Sequence, residues 1–413
     1  MLLRFSIQNY RSYLHEAELD FQPATALFGG NGSGKSNLIR ALKTAVGIAL
    51  GNERRPTASP FLLNEASRFQ DSGLEFEVSA PNGTRFRYGL SLNATGIAAE
   101  SLEAKPEGGK WCLVFARSED AVELSGLSDA SAQQVLGGLA ADRSVIPLVI
   151  RGKDPLVQAF RTVLAVIRFV DFEEMGARDF ESGLEAALSS PAARCELAAF
   201  LACIDPTVRG CRPEGSGKAR TICLMHAPEG SEFPMPVPLS EESAGTRKMA
   251  ALFFILKDVI GKGGVAVVDG LSSGLHPLLL REVVQLFSVG KAADAQLFYS
   301  TQDAAALADD SLSKAAVWLV EKDASGASSL LPLSGVKQAK KREGRKLEAA
   351  YLKGKLGGVP DLKPLRVKPK KAEGACAPRS AKRKGKKAAT AKAPEMLILA
   401  STEDFIESPQ GNI

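Results

Sequence analysis

The chain has 413 residues, of which 45% are hydrophobic and 24% are charged, and its formal net charge is +5. This size predicts a sizeable core and either two domains or one domain with an insertion. Neither a membrane span nor a secretory signal is predicted, because long apolar runs are absent. Six cysteines without a C-x-x-C pair argue against a zinc site and favour a reducing cytoplasm.

The first hundred or so residues are predicted to be rich in strands. Alternating apolar and polar residues predict strands at 3–7 and 16–21, with a turn at 9–12 between them. Asn82-Gly83, which separates two alternating segments, is a strong hairpin signal. Further strands at 97–102 and 111–115 extend this pattern into an antiparallel β-subdomain.

A phosphate-binding P-loop lies between the second strand and the hairpin. The motif G-x-x-x-x-G-K-[ST] follows an apolar strand at 25–28 and precedes a helical pattern at 37–46, so the start of the helix points at the phosphates. Glycines allow backbone N–H groups to face a polyphosphate, Lys35 reaches its β and γ oxygens, and Ser36 can bind Mg²⁺. The predicted nucleotide-binding residues are Gly29, Asn31, Gly32, Ser33, Gly34, Lys35, Ser36 and Asn37.

The middle of the chain is predicted to be mainly helical. From about residue 130 to residue 200 the apolar spacing is typical of helices, with 156–166 and 183–202 as the clearest examples. This strand-poor stretch separates two strand-rich halves, which indicates an inserted helical subdomain over 126–204. Residues 205–220 are predicted to be a loop that leads into a strand at 221–225.

The second half returns to alternating helices and strands. A helix at 244–260, a strand at 265–269, a helix at 278–287 and a strand at 296–300 are followed by a hairpin at 317–321 and 328–333. Apolar strands that alternate with helices predict a mostly parallel sheet buried on both faces, which the P-loop strand must join.

The C-terminal region carries the excess of positive charge. Between Lys363 and Lys392 nine lysines and three arginines face one glutamate, so this segment has a charge of +11 and the rest of the chain a charge of about −6. Few large apolar residues are present, and 363–413 is predicted to be a disordered tail. This tail either contacts nucleic acid or is a solvated extension.

The motifs together resemble SMC/RecF-like ABC ATPases, and among these the ATP-binding proteins of bacterial abortive-infection and phage-defence loci, which are related to the ATPase domain of the OLD nucleases. The resemblance rests on 5–13, the P-loop, 239–248, 268–277 and 299–303, which occur in the family's order. It implies an α/β fold, namely an ABC-type P-loop NTPase head with a mixed sheet, an antiparallel β-subdomain and an inserted helical subdomain. The expected segments are an N-terminal lobe at 1–125, the insertion at 126–204, a C-terminal lobe at 205–336, a helical extension at 337–362 and the tail.

The resemblance also implies that the nucleotide site is complete only when two copies of the chain associate. Ser243 and Gly245 correspond to the family's signature, which caps the γ-phosphate held by a second subunit, and Asp269 corresponds to the acid that holds Mg²⁺. The expected cofactors are therefore ATP and Mg²⁺, and the expected assembly is a homodimer or a higher homo-oligomer. Gly270 and Gln302 stand where the family has its catalytic glutamate and its switch histidine.

These two departures predict ATP binding with weakened hydrolysis. Gly270 has no side chain and Gln302 does not titrate, and loss of a positioned base costs about 10²- to 10⁴-fold in rate. One hypothesis is a nucleotide-gated dimer switch that controls an effector encoded nearby, in phage defence. The alternatives are a RecF-like DNA-binding ATPase that uses the basic tail, and an ordinary ATPase whose base is relocated to Asp303, Glu241 or Glu242.

Overall fold

Residues 1–361 form one compact unit. The computed structural model describes residues 1–53, 56–118, 122–123, 143–149, 154–172, 188, 190–215, 221–230, 233–288, 292, 294–308, 312–339, 342 and 344–358. The strands are β1 (Leu2–Gln8), β2 (Ala17–Asp20), β3 (Ala24–Phe28), β4 (Ser72–Ser79), β5 (Arg85–Leu92), β6 (Ile97–Lys105), β7 (Cys112–Arg117), β8 (Val122–Glu123), β9 (Ile167–Asp171), β10 (Val208–Glu214), β11 (Thr221–His226), β12 (Met235–Pro238), β13 (Val265–Asp269), β14 (Gln296–Thr301), β15 (Val317–Lys322) and β16 (Ser328–Pro332). The helices are α1 (Lys35–Leu50), α2 (Ile146–Val149), α3 (Pro155–Ala165), α4 (Pro191–Ala202), α5 (Ala244–Lys262), α6 (Pro277–Ser288) and α7 (Arg345–Leu352).

A six-stranded mixed sheet positions the P-loop. Its order is β16-β15-β3-β14-β13-β9, and all neighbours are parallel except β16, which runs antiparallel to β15. The carboxyl ends of the parallel strands therefore lie along one edge of this sheet, next to the loop that leaves β3. The predicted parallel sheet, with the P-loop strand as a member, is confirmed.

Two antiparallel sheets accompany the central one. Seven strands in the order β2-β1-β4-β5-β6-β7-β8 form the predicted antiparallel β-subdomain, and the Asn82-Gly83 turn joins β4 to β5 with Gly83 at φ 78°. The third sheet, β10-β11-β12, was only partly expected. The predicted loop over 205–220 is wrong in part, because its residues 208–214 form β10 and pair with β11.

The hydrophobic core lies in two clusters, one on each face of the central sheet. Alternate residues of β13 face opposite ways, so Val267 belongs to the cluster that contains α1, while Val268 belongs to the cluster that contains α5 and α6. The first cluster also includes the inner face of the seven-stranded sheet, and the second includes the three-stranded sheet. The P-loop helix α1 is therefore packed between two sheets.

The middle segment contains a strand, β9, where the apolar spacing predicts helix. Helix α3 begins and ends within one residue of its predicted bounds, but after Val166 the chain forms β9, which pairs with β13 in the central sheet. Much of 126–204, and all of the basic tail over 363–413, lie outside the described residues. The domain boundaries remain predictions.

Within the described part of the chain, no helix combines the length and the apolar content needed to cross a lipid bilayer.

Candidate functional site

The P-loop is held in shape by side chains from two distant segments. It leaves the fully buried β3, and Gly34, the residue immediately before α1, has φ 118°. The Ser328 hydroxyl donates to the Ser33 carbonyl at 2.5 Å, and the Tyr13 hydroxyl donates to the Gly34 carbonyl at 3.3 Å. Burial raises the pKa of Tyr13 far above its usual value, so this hydroxyl remains a donor.

Gly34 is required by both conformation and space. A Cβ atom at this position would lie 2.4 Å from the Ser328 Oγ and 2.8 Å from the Ser12 Oγ. Its left-handed φ would also disfavour any other residue. The turn into α1 therefore depends on glycine at this position.

Lys35 lies folded back over the loop that it follows. Its Nζ donates to the Gly29 carbonyl at 2.8 Å and to the Gly30 carbonyl at 2.9 Å. Asn37 donates to the Ser12 Oγ at 2.9 Å, and the buried Ser33 hydroxyl has no hydrogen-bond partner among the described residues. Lys35 is therefore positioned over a loop whose exposed residues Asn31, Gly32 and Ser36 border solvent.

Asp269 is the last residue of β13, which is separated from the P-loop strand β3 by β14. It lies on the face of the sheet that α1 covers. Its Oδ1 accepts a hydrogen bond from the Ser300 Oγ at 2.5 Å, and the same hydroxyl oxygen accepts from the Gly270 N–H at 2.8 Å. Ser300 lies at the end of β14, between Asp269 and β3. The structure thus fixes the Asp269 carboxylate at the edge of the sheet from which the P-loop leaves.

The donor set fits a Mg²⁺ ion that arrives with a nucleotide. Ser36 offers a solvent-exposed hydroxyl and Asp269 offers a carboxylate, both of them hard oxygen ligands. Mg²⁺ binds through one or two carboxylates together with phosphate oxygens and water, so a dedicated cluster of protein ligands is not needed. Indeed no group of three or more His, Cys, Asp or Glu side chains that could hold a metal occurs among the described residues.

The two positions that depart from the family pattern lie close to this edge. Gly270 has φ 69°, in the left-handed region, at the first residue after β13. Gln302 follows β14 and is exposed, whereas Asp303 is half-buried and accepts from the Ala305 N–H at 3.0 Å. No carboxylate therefore occupies position 270, and its backbone conformation itself favours glycine.

The predicted signature residues lie at the start of α5. Ser243 is the N-cap of this 19-residue helix, and its Oγ accepts from the Thr246 N–H at 3.1 Å. The residue is exposed, and Gly245 lies where a Cβ atom would be 3.3 Å from the Gly274 carbonyl. The N-terminal N–H groups and the dipole of a helix favour an anion at this point.

Two side chains, Lys248 and Glu242, connect the start of α5 to other parts of the molecule. The Lys248 Nζ donates to the Ser273 carbonyl at 2.9 Å, in the loop that follows Asp269, and lies 5.1 Å from the centre of the Phe172 ring. Glu242 meets the Nε2 of His226 on β11 at 2.8 Å. These contacts join the start of α5 to the loop after β13 and to β11.

A groove beside α1 was missed by the sequence reasoning. It encloses about 540 Å³ and is lined by Arg11, Ser12, Asn37, residues 58–63, Lys322 and Gly326. Arg11 has φ 51°, and its N–H donates to the Ser59 carbonyl at 2.6 Å. A second cavity of about 430 Å³ borders the P-loop from Gly30 to Ser33.

The wall of this groove is fixed by one buried asparagine. The Asn9 side chain accepts from the Phe61 N–H at 3.1 Å and donates to the carbonyls of Ser67 and Gln70 at 2.9 and 3.0 Å. Leu62, Leu63 and Phe69, in the same segment, remain 60–87% exposed. Residues 9–12, which the sequence predicts only as a turn between two strands, therefore help to shape this groove.

The match to a known protein family falls in two separate parts of the chain. The family model described as "AAA domain, putative AbiEii toxin, Type IV TA system" matches residues 24–115 and 231–308. These ranges contain the P-loop, the start of α5, Asp269 and Gln302. No curated protein sequence matches the chain.

Two solved structures are similar over most of the chain. The SMC head domain from Thermotoga maritima is 14% identical, with 80% of this chain and 98% of that chain covered and a TM-score of 0.39. An SMC head bound to the C-terminal winged-helix domain of ScpA is 13% identical, with 83% and 99% covered and a TM-score of 0.45.

Proposed function

We propose that the chain is an SMC/RecF-like ABC-type ATPase related to abortive-infection proteins, whose family model matches residues 24–115 and 231–308, and that it binds Mg·ATP between two copies of itself. The resulting dimer acts as a switch that controls an effector protein. ATP and Mg²⁺ are the proposed cofactors, and phage defence is the proposed setting.

One observation carries the proposal. The chain has a phosphate-binding loop and, separately from it, an exposed helix start at Ser243 that suits an anion. Lys35 and Asp269 suit the triphosphate and its metal, and Arg11 and Lys322 line a groove that suits the nucleoside. Ser243 is exposed and bonded within its own helical turn. It is thus available to an anion held by another molecule.

Slow hydrolysis is part of the proposal. Gly270 supplies no carboxylate to orient an attacking water molecule, and Gln302 is exposed and does not titrate. A dimer that holds ATP for a long time would keep the switch in one state. Asp303, Glu241 and Glu242 remain the candidates for a relocated base.

Measurement of oligomeric state with light scattering tests the dimer. We expect the wild type to be dimeric with Mg·ATP and monomeric with Mg·ADP, and Lys35→Ala to remain monomeric with both. Ser243→Asp keeps an N-cap oxygen but places a negative charge against the partner's γ-phosphate, so it should bind ATP and stay monomeric. Ser243→Asn, an equally good N-cap without charge, is the matched control.

The proposal fails if ATP leaves the oligomeric state of the wild type unchanged. It also fails if Ser243→Asp and Ser243→Asn dimerise equally well, because the start of α5 would then not meet a phosphate. Isothermal titration of the same variants with ATP separates loss of nucleotide binding from loss of dimerisation.

The effector is tested through the cell. Expression of the chain with its neighbouring genes should lower phage plaque counts, and Lys35→Ala should abolish this protection. An effector encoded nearby should copurify with the wild type in a manner that depends on ATP. Equal protection by Lys35→Ala would remove the nucleotide switch from the mechanism.

A second function is favoured by the charge of +11 between Lys363 and Lys392. A RecF-like DNA-binding ATPase would use these cations for contacts with phosphates, which are independent of sequence and sensitive to salt. Deletion of 363–413 should then abolish DNA binding and its salt dependence. Unchanged affinity after the deletion would leave the switch as the function to pursue.

A further inference from the structure

A turn near the C-terminal end of the compact unit is bonded directly to the P-loop. The Gly30 N–H donates to the Gly358 carbonyl at 3.1 Å. The hydroxyl of Tyr351, a buried residue of α7, donates to the same carbonyl at 3.0 Å. A carbonyl from the far end of the compact unit therefore anchors the first half of the P-loop.

Two glycines and one carboxylate hold this turn in place. Gly357 and Gly358 have φ 85° and 72°, in the left-handed region that favours glycine. The Gly358 N–H donates at 2.6 Å to the Oε1 of Glu321, which lies at the end of β15. A Cβ atom at Gly357 would overlap this same oxygen. The turn and the Glu321 carboxylate therefore fit together only while residue 357 has no side chain.

Gly30 is bonded through both of its backbone polar groups. Its N–H is held by Gly358, and its carbonyl accepts from the Lys35 Nζ at 2.9 Å. Lys35 also donates to the Gly29 carbonyl at 2.8 Å. A lysine that moves onto the phosphates of a nucleotide must give up its bonds to these carbonyls. The bond between Gly30 and Gly358 does not involve Lys35, so it can persist when the lysine moves.

The turn belongs to a segment that also reaches the residues after Gln302. Helix α7 packs against a short 3₁₀ helix, Ala304–Ala308, and Leu307 and Leu347 belong to the same core cluster. Leu356, just before the two glycines, is a buried member of that cluster. The segment 345–358 therefore joins the P-loop to the part of the chain that follows β14.

We propose that the Gly357-Gly358 turn, held by Glu321, positions the P-loop for nucleotide. It keeps Gly30 in place while Lys35 exchanges the loop carbonyls for phosphate oxygens. This inference rests on the proposed binding of Mg·ATP, and it concerns groups that act through Gly30. Without the turn, the loop must be ordered when the nucleotide arrives, which lowers affinity. By linkage, a turn that raises nucleotide affinity is stabilised by bound nucleotide to the same extent.

The main test compares two glycines of the same segment. Gly357→Ala displaces the Glu321 carboxylate from the Gly358 N–H. Gly354→Ala is the matched control, because Gly354 has φ 68° but a Cβ atom there would meet no atom within 4 Å. Isothermal titration with a non-hydrolysable ATP analogue and Mg²⁺ measures affinity. We expect Gly357→Ala to bind about 3- to 10-fold more weakly, the value of about one net hydrogen bond, and Gly354→Ala to equal the wild type.

Rescue by a conservative variant separates positioning from general stability. Glu321→Ala removes the acceptor for the Gly358 N–H and should weaken binding as Gly357→Ala does. Glu321→Gln keeps an acceptor oxygen and should restore most of the affinity. Thermal unfolding of the nucleotide-free variants checks the fold, and Glu321→Ala repeats the test if Gly357→Ala does not fold.

Hydrogen exchange of the wild type tests the same link without any substitution. Bound nucleotide should slow amide exchange in 353–358 about 3- to 10-fold more than in the turn between β6 and β7. In Gly354→Ala this slowing should persist.

The results that would overturn the inference are distinguishable from failure of the proposed function. Wild-type protein that binds no nucleotide in Mg²⁺ refutes the proposed function, and the role of the turn with it. Wild-type protein that binds Mg·nucleotide, with equal affinities for Gly357→Ala and Gly354→Ala, refutes the role of the turn alone. The same conclusion follows if nucleotide leaves the exchange of 353–358 unchanged.

Discussion

Placing a glutamate at position 270 tests the slow-hydrolysis proposal directly. Gly270→Glu returns a carboxylate to the residue after Asp269, where related ATPases are expected to have their base. A positioned base contributes about 10²- to 10⁴-fold in rate, which is about 3–5 kcal/mol of activation free energy. We therefore expect a gain in turnover within that range.

The same substitution has a conformational cost that the structure allows us to estimate. Gly270 has φ 69°, and a residue with a Cβ atom in the left-handed region loses about 1–2 kcal/mol. Gly270→Glu should therefore lower the free energy of unfolding by that amount. Gly270→Ala carries the same backbone cost without a carboxylate and is the matched control.

Phosphate release at saturating Mg·ATP, with protein above the concentration needed for dimerisation, measures turnover, and urea unfolding measures stability. The reasoning is refuted if Gly270→Ala gains as much turnover as Gly270→Glu. It is refuted equally if the wild type already matches Gly270→Glu, because a base elsewhere would then be active.

Three further perturbations test the frame around the site. Burial raises the pKa of Glu100 above its usual 4.5, so the folded protein binds this proton more tightly than the unfolded chain, and stability falls as pH rises from 4.5 to the raised pKa. Glu100→Gln should remove that fall in urea unfolding measured across pH. Asn9→Ala should lower the free energy of unfolding by at least about 2 kcal/mol, because it leaves buried backbone groups unpaired, and should expose 58–71 to limited proteolysis. Lys248→Met should cost about 1 kcal/mol in urea unfolding through loss of the bond to Ser273.

Each of these has a control or an outcome that would contradict it. An unchanged pH profile for Glu100→Gln would show that other groups govern the acid limb. Asn9→Asp retains the acceptor for the Phe61 N–H and should fall between the wild type and Asn9→Ala. Lys248→Arg keeps a donor near Ser273, so it should lose less stability than Lys248→Met.

The motif-bearing segments were predictable because local rules decide them. The P-loop, the Asn82-Gly83 hairpin and the apolar strand ending in Asp269 carry turn residues or apolar runs that define their own structure. Ser243 as an N-cap follows from a serine before an apolar helix. In these places the local preference and the tertiary structure agree.

The misses depend on partners distant in sequence. Strand β9 begins one residue after α3 ends, and its apolar residues continue the helical pattern, so only pairing with β13, about 100 residues later, identifies it. Strand β10 contains Pro213 and three charged residues, which are typical of loops, and it is stable at a sheet edge. Arg11 lines a groove only because the distant segment 58–63 packs beside it.

The position of β3 has a consequence for synthesis of the protein. This strand, at 24–28, pairs with β14 and β15, which leave the ribosome about 270 residues later. At 5–20 residues per second, roughly 15–60 s pass before those strands exist. Throughout that time the five residues of β3, all buried in the finished sheet, lack the two strands that pair with them. A nascent chain stopped before residue 296 would therefore carry the whole P-loop motif without the strands that hold it.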